Sequence, residues 1–179
     1  MEARSARKTR RIAAFAFEAL LFAARAAPDE PCGGSLLHFI GRHNRNFEEA
    51  VTRAVETAAK RLGEERCGGI LLEFHDPSGR ILHDRLRESG LGPREYLGHL
   101  LFLDGDRTPF CQSSEHLAGS TPGGSLVLLC GQRFGRLESE DPRYGAVVLL
   151  HETLHTLGLP ENPPSSAEIT ERVFARCGK

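Results

Sequence analysis

No C-x-x-C pair occurs among the five cysteines of this 179-residue sequence. A cysteine zinc site or a thioredoxin-like redox motif is therefore not indicated. A basic stripe of the kind that grips nucleic acid is missing as well. The excess of positive charge sits in residues 1–27, with six basic and two acidic side chains, and residues 28–179 carry 17 basic against 22 acidic ones. Nucleic acid is therefore not an expected partner. No apolar run is long and unbroken enough to span a membrane, no internal repeat appears, and no linker divides residues 28–179, which read as a single domain. The glycine-rich stretch at 122–124 lacks the lysine of a phosphate loop. Ser113 and Ser114, near His116, stand outside any G-x-S-x-G elbow. Asp104-Gly105-Asp106 lacks the remaining ligands of an EF-hand.

What is present begins at the N-terminus. Arg4, Arg7, Lys8, Arg10 and Arg11 precede apolar residues from Ile12 to Ala24, and Ala24-Arg25-Ala26 supplies small residues in an A-x-A pattern. Basic, then apolar, then small is the order of a secretory signal peptide, predicted here for residues 1–27. Glu18 is a charge inside its apolar part. Cys32, Cys67, Cys111, Cys130 and Cys177 all follow the predicted cleavage site. In a secreted or periplasmic protein they would form two disulfides and leave one thiol. Cys111 with Cys130 is the preferred pair, because the turn-rich segment between them can bring the two together.

The most informative stretch runs from residue 141 to 161. Asp141 and Pro142 make a helix start, Asp as N-cap and Pro in the first turn. Val148, Leu150, Leu154 and Leu157 give that helix an apolar surface, and Gly158 stands where a helix ends in a left-handed residue. Within it, His151 and His155 are four residues apart and share one face. Two imidazoles so placed can grip one tetrahedral zinc ion. Glu152, beside the first of them, suits a general base that takes a proton from water and returns it to a leaving group. A sharp turn at Gly158 would bring Glu161 back as a third ligand. The whole pattern is HExxHxxGxxE.

His151, Glu152, His155, Gly158 and Glu161 resemble the zinc-binding signature of the zincin metallopeptidases. The spacing is similar to that of the metzincin branch, HExxHxxGxx followed by His or Asp. The sequence departs from that branch in two places: Glu161 occupies the third-ligand position, and Met1 is the only methionine, so there is no Met-turn. The resemblance covers the helix and its exit turn, about a tenth of the chain. It implies an α+β fold, a small twisted mixed sheet with a long backing helix and a helix carrying HExxH. The implied activity is that of a secreted zinc endopeptidase acting on polypeptides. In the gluzincin branch the third ligand is a Glu on a later helix, which leaves Glu168 and Glu171 as rivals to Glu161. Glu168 also fits a capping box that starts at Ser165. The alternative function is a secreted domain that keeps zinc for binding or structure without turnover.

Hydrophobic periodicity predicts a long amphipathic helix over residues 47–62, capped by Asn44 or Asn46 and ended by Gly63. Residues 68–75 read as an apolar strand, 76–79 as a type I turn and 81–83 as a returning strand. A short helix is expected at 93–99 and strands at 100–103 and 125–130. Residues 107–124 read as a long surface loop, 131–140 as a connection, and 167–176 as a last helix. By the resemblance, residues 125–129 are a candidate for the sheet edge that pairs with substrate. The other histidines (His38, His43, His75, His83, His99 and His116) have no partner at ligand spacing. Tyr96 and Tyr144 are the only phenols.

Overall fold

The computed structural model describes residues 37–114 and 116–179; the predicted signal peptide and Cys32 lie outside them. In chain order the elements are β1 (His38–Ile40), α1 (Arg45–Leu62), α2 (Glu65–Gly68), α3 (Ile70–Glu73), α4 (Leu82–Glu88) and α5 (Pro93–Gly98). They continue with β2 (Leu101–Asp104), α6 (Pro109–Gln112), β3 (Ala118–Ser120) and β4 (Leu126–Leu129). The chain ends with α7 (Gly131–Glu140), α8 (Pro142–Thr156) and α9 (Ser166–Cys177). The class is α+β, with one four-stranded sheet in the order β1-β2-β4-β3. β1, β2 and β4 run parallel, and β3 lies antiparallel to β4.

α1 forms as its sequence predicts. The Asn44 side chain accepts a hydrogen bond from Phe47 N at 2.9 Å, so one of the free amide groups of the first turn is satisfied. Its buried stripe alternates large and small residues, Phe47, Ala50, Val51, Ala54, Val55, Ala58, Ala59 and Leu62. The alanines let neighbouring helices approach closely. Gly145 of α8 uses that opening: a Cβ there would stand 3.4 Å from Ala54 Cβ and 2.8 Å from Glu138 Cγ. Glu138 itself is 1 % exposed. Its carboxylate is held by the Arg53 guanidinium through Nη2 at 2.6 Å and Nε at 3.1 Å, which compensates for its removal from water. The core thus lies where α1, α7 and α8 meet Phe102, Val127 and Leu129 of the sheet, all of them buried.

Several expectations need correction. Residues 68–75 wind into α2 and α3 instead of a strand. Ile70, Leu71 and Phe74 are buried while Leu72 is 55 % exposed, a helical pattern of burial; a short apolar run does not separate the two by periodicity. The turn after it forms, with Gly79 N donating to Asp76 O at 2.9 Å. The returning strand shrinks to one bridge between His75 and Ile81 before α4 begins. Residues 107–124 contain α6 and β3, and 131–140 form α7, whose Phe134 and Glu138 are buried one turn apart.

The correction with consequences for function concerns the sheet edge. β4 is an internal strand, paired on both sides, and the edge next to it is β3, β1 being the opposite edge. Ala-Gly-Ser carries no alternation of apolar residues that would mark a strand; its pairing with β4 creates it. The register sets Ala118 opposite Leu129, Gly119 opposite Leu128 and Ser120 opposite Val127. Opposed residues share a face, so Ser120 leaves the sheet on the side where Val127 and Leu129 enter the core. A slip of one residue would put Gly119 there instead.

Candidate metal centre

α8 starts as the sequence predicts, with the Asp141 carboxylate accepting from Arg143 N at 3.0 Å and Pro142 in the first turn. The consecutive residues from Leu149 to Thr156 are all buried. A helix end that is buried all round must satisfy its polar groups internally. Thr153 does so by donating to Leu149 O at 2.6 Å, and Thr156 by donating to Thr153 O at 2.9 Å. The Tyr96 hydroxyl donates to Thr156 Oγ1 at 3.2 Å. Tyr144 is turned away, its ring against Phe174 with centroids 5.8 Å apart.

The helix ends in a Schellman motif: Leu159 N donates to Leu154 O at 3.0 Å and Gly158 N to His155 O at 2.8 Å. Gly158 has φ +113°, a conformation open to glycine and strained for other residues. Asp76 and Arg85 brace this turn from outside. Arg85 Nε lies 3.5 Å from Leu157 O and 3.7 Å from Asp76 Oδ2. Asp76 accepts from the Ser78 hydroxyl and from Ser78 N and Arg80 N, which holds its carboxyl down to about 2.

The same turn positions His155. Its Nδ1 is 2.8 Å from Leu159 O. A carbonyl oxygen only accepts, so the proton is on Nδ1 and the lone pair of Nε2 is left free. That lone pair faces His151 Nε2 at 3.1 Å. Glu161 follows directly, with Oε1 3.3 Å from His155 Nε2 and 3.8 Å from His151 Nε2. The donor atoms of His151, His155 and Glu161 all lie within 4.8 Å of one another. Glu168 and Glu171 are not brought to the histidines. Glu168 sits in the first turn of α9, where its backbone N donates to Ser165 Oγ at 3.3 Å, and both side chains are exposed. Among the described residues no other histidine enters such a group; His43, for one, pairs with Glu48 at 2.7 Å.

Burial sets the electrostatics. His151 and His155 are 7 % and 4 % exposed, whereas the Glu161 side chain is 42 % exposed. Of the three, Glu161 is the one in substantial contact with solvent. Burial, and then the neighbouring His155, push His151 down to about 4, so its imidazole is neutral and able to bind a metal near pH 7. Glu152, 5 % exposed, is shifted upward by burial, against an opposing hydrogen bond from Ser120.

Two side chains the sequence did not single out touch this group. Ser120 Oγ donates to Glu152 Oε2 at 2.7 Å and lies 3.2 Å from the Glu152 carbonyl. Thr170 Oγ1 is 2.9 Å from His151 Nδ1. Ser120 is part of a turn-like GSTPGGS run, and Thr170 is one polar residue on an amphipathic helix, so neither carries a signal that sequence reading could have used.

No family model matches the chain, and no curated protein or solved structure matches it either.

Proposed function

We propose that this protein is a zinc-dependent peptidase of the zincin type, exported from the cytosol. The observation that carries the reading is the pair of Nε2 atoms facing each other at 3.1 Å with Glu161 Oε1 closing the triangle. A tetrahedral zinc with bonds of about 2.0–2.1 Å separates its ligand atoms by about 3.3 Å. The three separations here run from 3.1 to 3.8 Å, so the donors fit such an ion with small adjustments. Two imidazole nitrogens and one carboxylate oxygen also match zinc's preference, and three protein ligands leave one position open. Zinc, when bound, supplies Lewis acidity that polarises a carbonyl and brings the pKa of water near neutrality.

The remaining roles belong to side chains of this chain. Glu152 takes the proton from water and returns it to the leaving amine, a task that suits a carboxyl shifted towards neutrality by burial. Ser120 holds Oε2 of that carboxylate and leaves Oε1 to handle the proton. Of the two outer strands, β3 is the one that touches Glu152, through Ser120, so β3 rather than β4 is the edge on which an extended polypeptide would pair. Two disulfides, Cys67–Cys177 and Cys111–Cys130, fit an oxidising compartment, and no helix of the described residues is long and apolar enough to cross a membrane.

One observation favours a second reading, a zinc-containing binding domain without turnover: His151, Glu152 and His155 are all at most 7 % exposed. Zinc content and cleavage of a mixed peptide library, measured for wild type and Glu152→Gln, separate the two. The peptidase reading expects both proteins to hold zinc and only wild type to cleave, with a loss of about 10²–10⁴-fold in the variant. Equal inactivity of two zinc-loaded proteins would leave the binding domain.

A further inference from the structure

The two histidines differ in what stands behind them. His155 Nδ1 faces a main-chain carbonyl, Leu159 O, that any sequence would supply. His151 Nδ1 faces a side chain, the Thr170 hydroxyl, from a helix that begins fifteen residues further along. We propose that Thr170 is the positioning residue of the metal centre, holding the His151 ring in place whichever of its nitrogens carries the proton. This rests on the reading of His151, His155 and Glu161 as a divalent-cation site.

The argument follows from what a hydroxyl can do. An imidazole that binds a cation through Nε2 must carry its proton on Nδ1, and that N–H needs an acceptor. Without a cation, two Nε2 atoms 3.1 Å apart need a proton between them. His155 has its own proton on Nδ1, so the bridging one belongs to His151 Nε2, and His151 Nδ1 then has to accept. The Thr170 hydroxyl serves both arrangements, because Oγ1 can accept from Nδ1–H or donate to the bare nitrogen. A carbonyl or a carboxylate would serve only the first. Turning one O–H bond therefore lets the site change tautomer without moving the ring.

α9 is built to hold that hydroxyl in place. Ser165 caps its start, accepting from Glu168 N at 3.3 Å. Ile169 and Val173, on either side of Thr170, are both 0 % exposed, so the helix is seated against the core through the turn that carries Thr170. Its far end is fixed covalently by Cys67–Cys177, and Arg66 Nη2 donates to Ala175 O at 2.7 Å. Thr170 itself is half-buried, with its hydroxyl at the ring.

The test uses the full chain with zinc alone as probe, and affinity is read by competition with a chromophoric chelator. Thr170→Val keeps the shape and β-branch and removes the hydroxyl; Thr170→Ser keeps the hydroxyl. The expected result is a loss of about 10–100-fold in zinc affinity for Thr170→Val, with Thr170→Ser within about threefold of wild type. Nitrogen NMR of the zinc-free proteins should show the His151 proton on Nε2 in all three, with the Nδ1 resonance of Thr170→Val alone shifted because it has lost the hydroxyl from which it accepts. Should circular dichroism show Thr170→Val unfolded, Thr170→Ala is measured in its place with the same expectation. Zinc affinity unchanged in the folded hydroxyl-free variant overturns the proposal. Folded wild type that binds no zinc overturns the underlying metal reading, which is a different failure because it appears before any variant is made.

Discussion

Cys67–Cys177 spans 110 residues of sequence and Cys111–Cys130 spans 19. On chain entropy alone the longer closure stabilises by about 5 kcal/mol and the shorter by about 3 kcal/mol. They also secure different neighbours of the same helix. The long one ties the end of α9 to α2, and α9 presents Thr170 to His151. The short one closes the segment that contains β3, which presents Ser120 to Glu152. One flank thus serves the groups that would hold the metal, and the other serves the group that would move the proton. Two adjacent residues of α8 are therefore supported from separate parts of the chain, each behind its own covalent tie.

If that division is right, the two bonds are distinguishable by more than their energies. The largest effect expected is from Cys67→Ala with Cys177→Ala: a loss of about 5 kcal/mol in urea unfolding, together with weaker zinc retention. Cys111→Ala with Cys130→Ala should cost about 3 kcal/mol and lower peptide turnover while zinc content stays at one per chain. Equal effects of the two pairs on zinc would break the comparison.

A pH series sharpens it. Because burial, and then the neighbouring His155, hold His151 near 4 instead of its ordinary 6.5, protons do not compete with the metal for that ring until the pH approaches the lower value. Wild type should keep zinc on dialysis at pH 6 and lose it as the pH falls towards 4, and whatever stability the metal adds disappears in the same window. Removing the long disulfide should move release upward, towards 6.5, while removing the short one should not; unchanged release in both would show that α9 does not shelter His151.

Ser120→Ala gives the smallest effect. The lost hydrogen bond stabilised the charged form of Glu152, so its removal raises that carboxyl further. Turnover at neutral pH should drop by about tenfold, within what a hydrogen bond to a charged group contributes. The acid limb of the pH–rate profile should move to higher pH, with zinc content unchanged. A drop in zinc content instead would place Ser120 on the metal-holding side of the division.

Much of this was legible in the chain. Asn44 and Asp141 as helix starts, the apolar stripe of α1, Gly158 as a helix end and Ser165 as a cap are local: each depends on groups within a few residues. The short disulfide was legible for the same reason, as was the joining of His151, His155 and Glu161, which needs one helical face and one tight turn. The apolar run at 68–75 was misread because a helix and a strand of that length bury the same residue types. β3 was missed because Ala-Gly-Ser becomes a strand only through its pairing with β4, and the long disulfide because nothing local joins Cys67 to Cys177.

By itself, then, the sequence determined the grouping that would hold a metal, since local backbone geometry brings its parts together over eleven residues. The tertiary structure decided which hydroxyls stand behind that grouping and which strand lies at the edge. Ser120 and Thr170 come from segments 32 and 19 residues away from the side chains they touch. Only sheet register and helix docking set those distances.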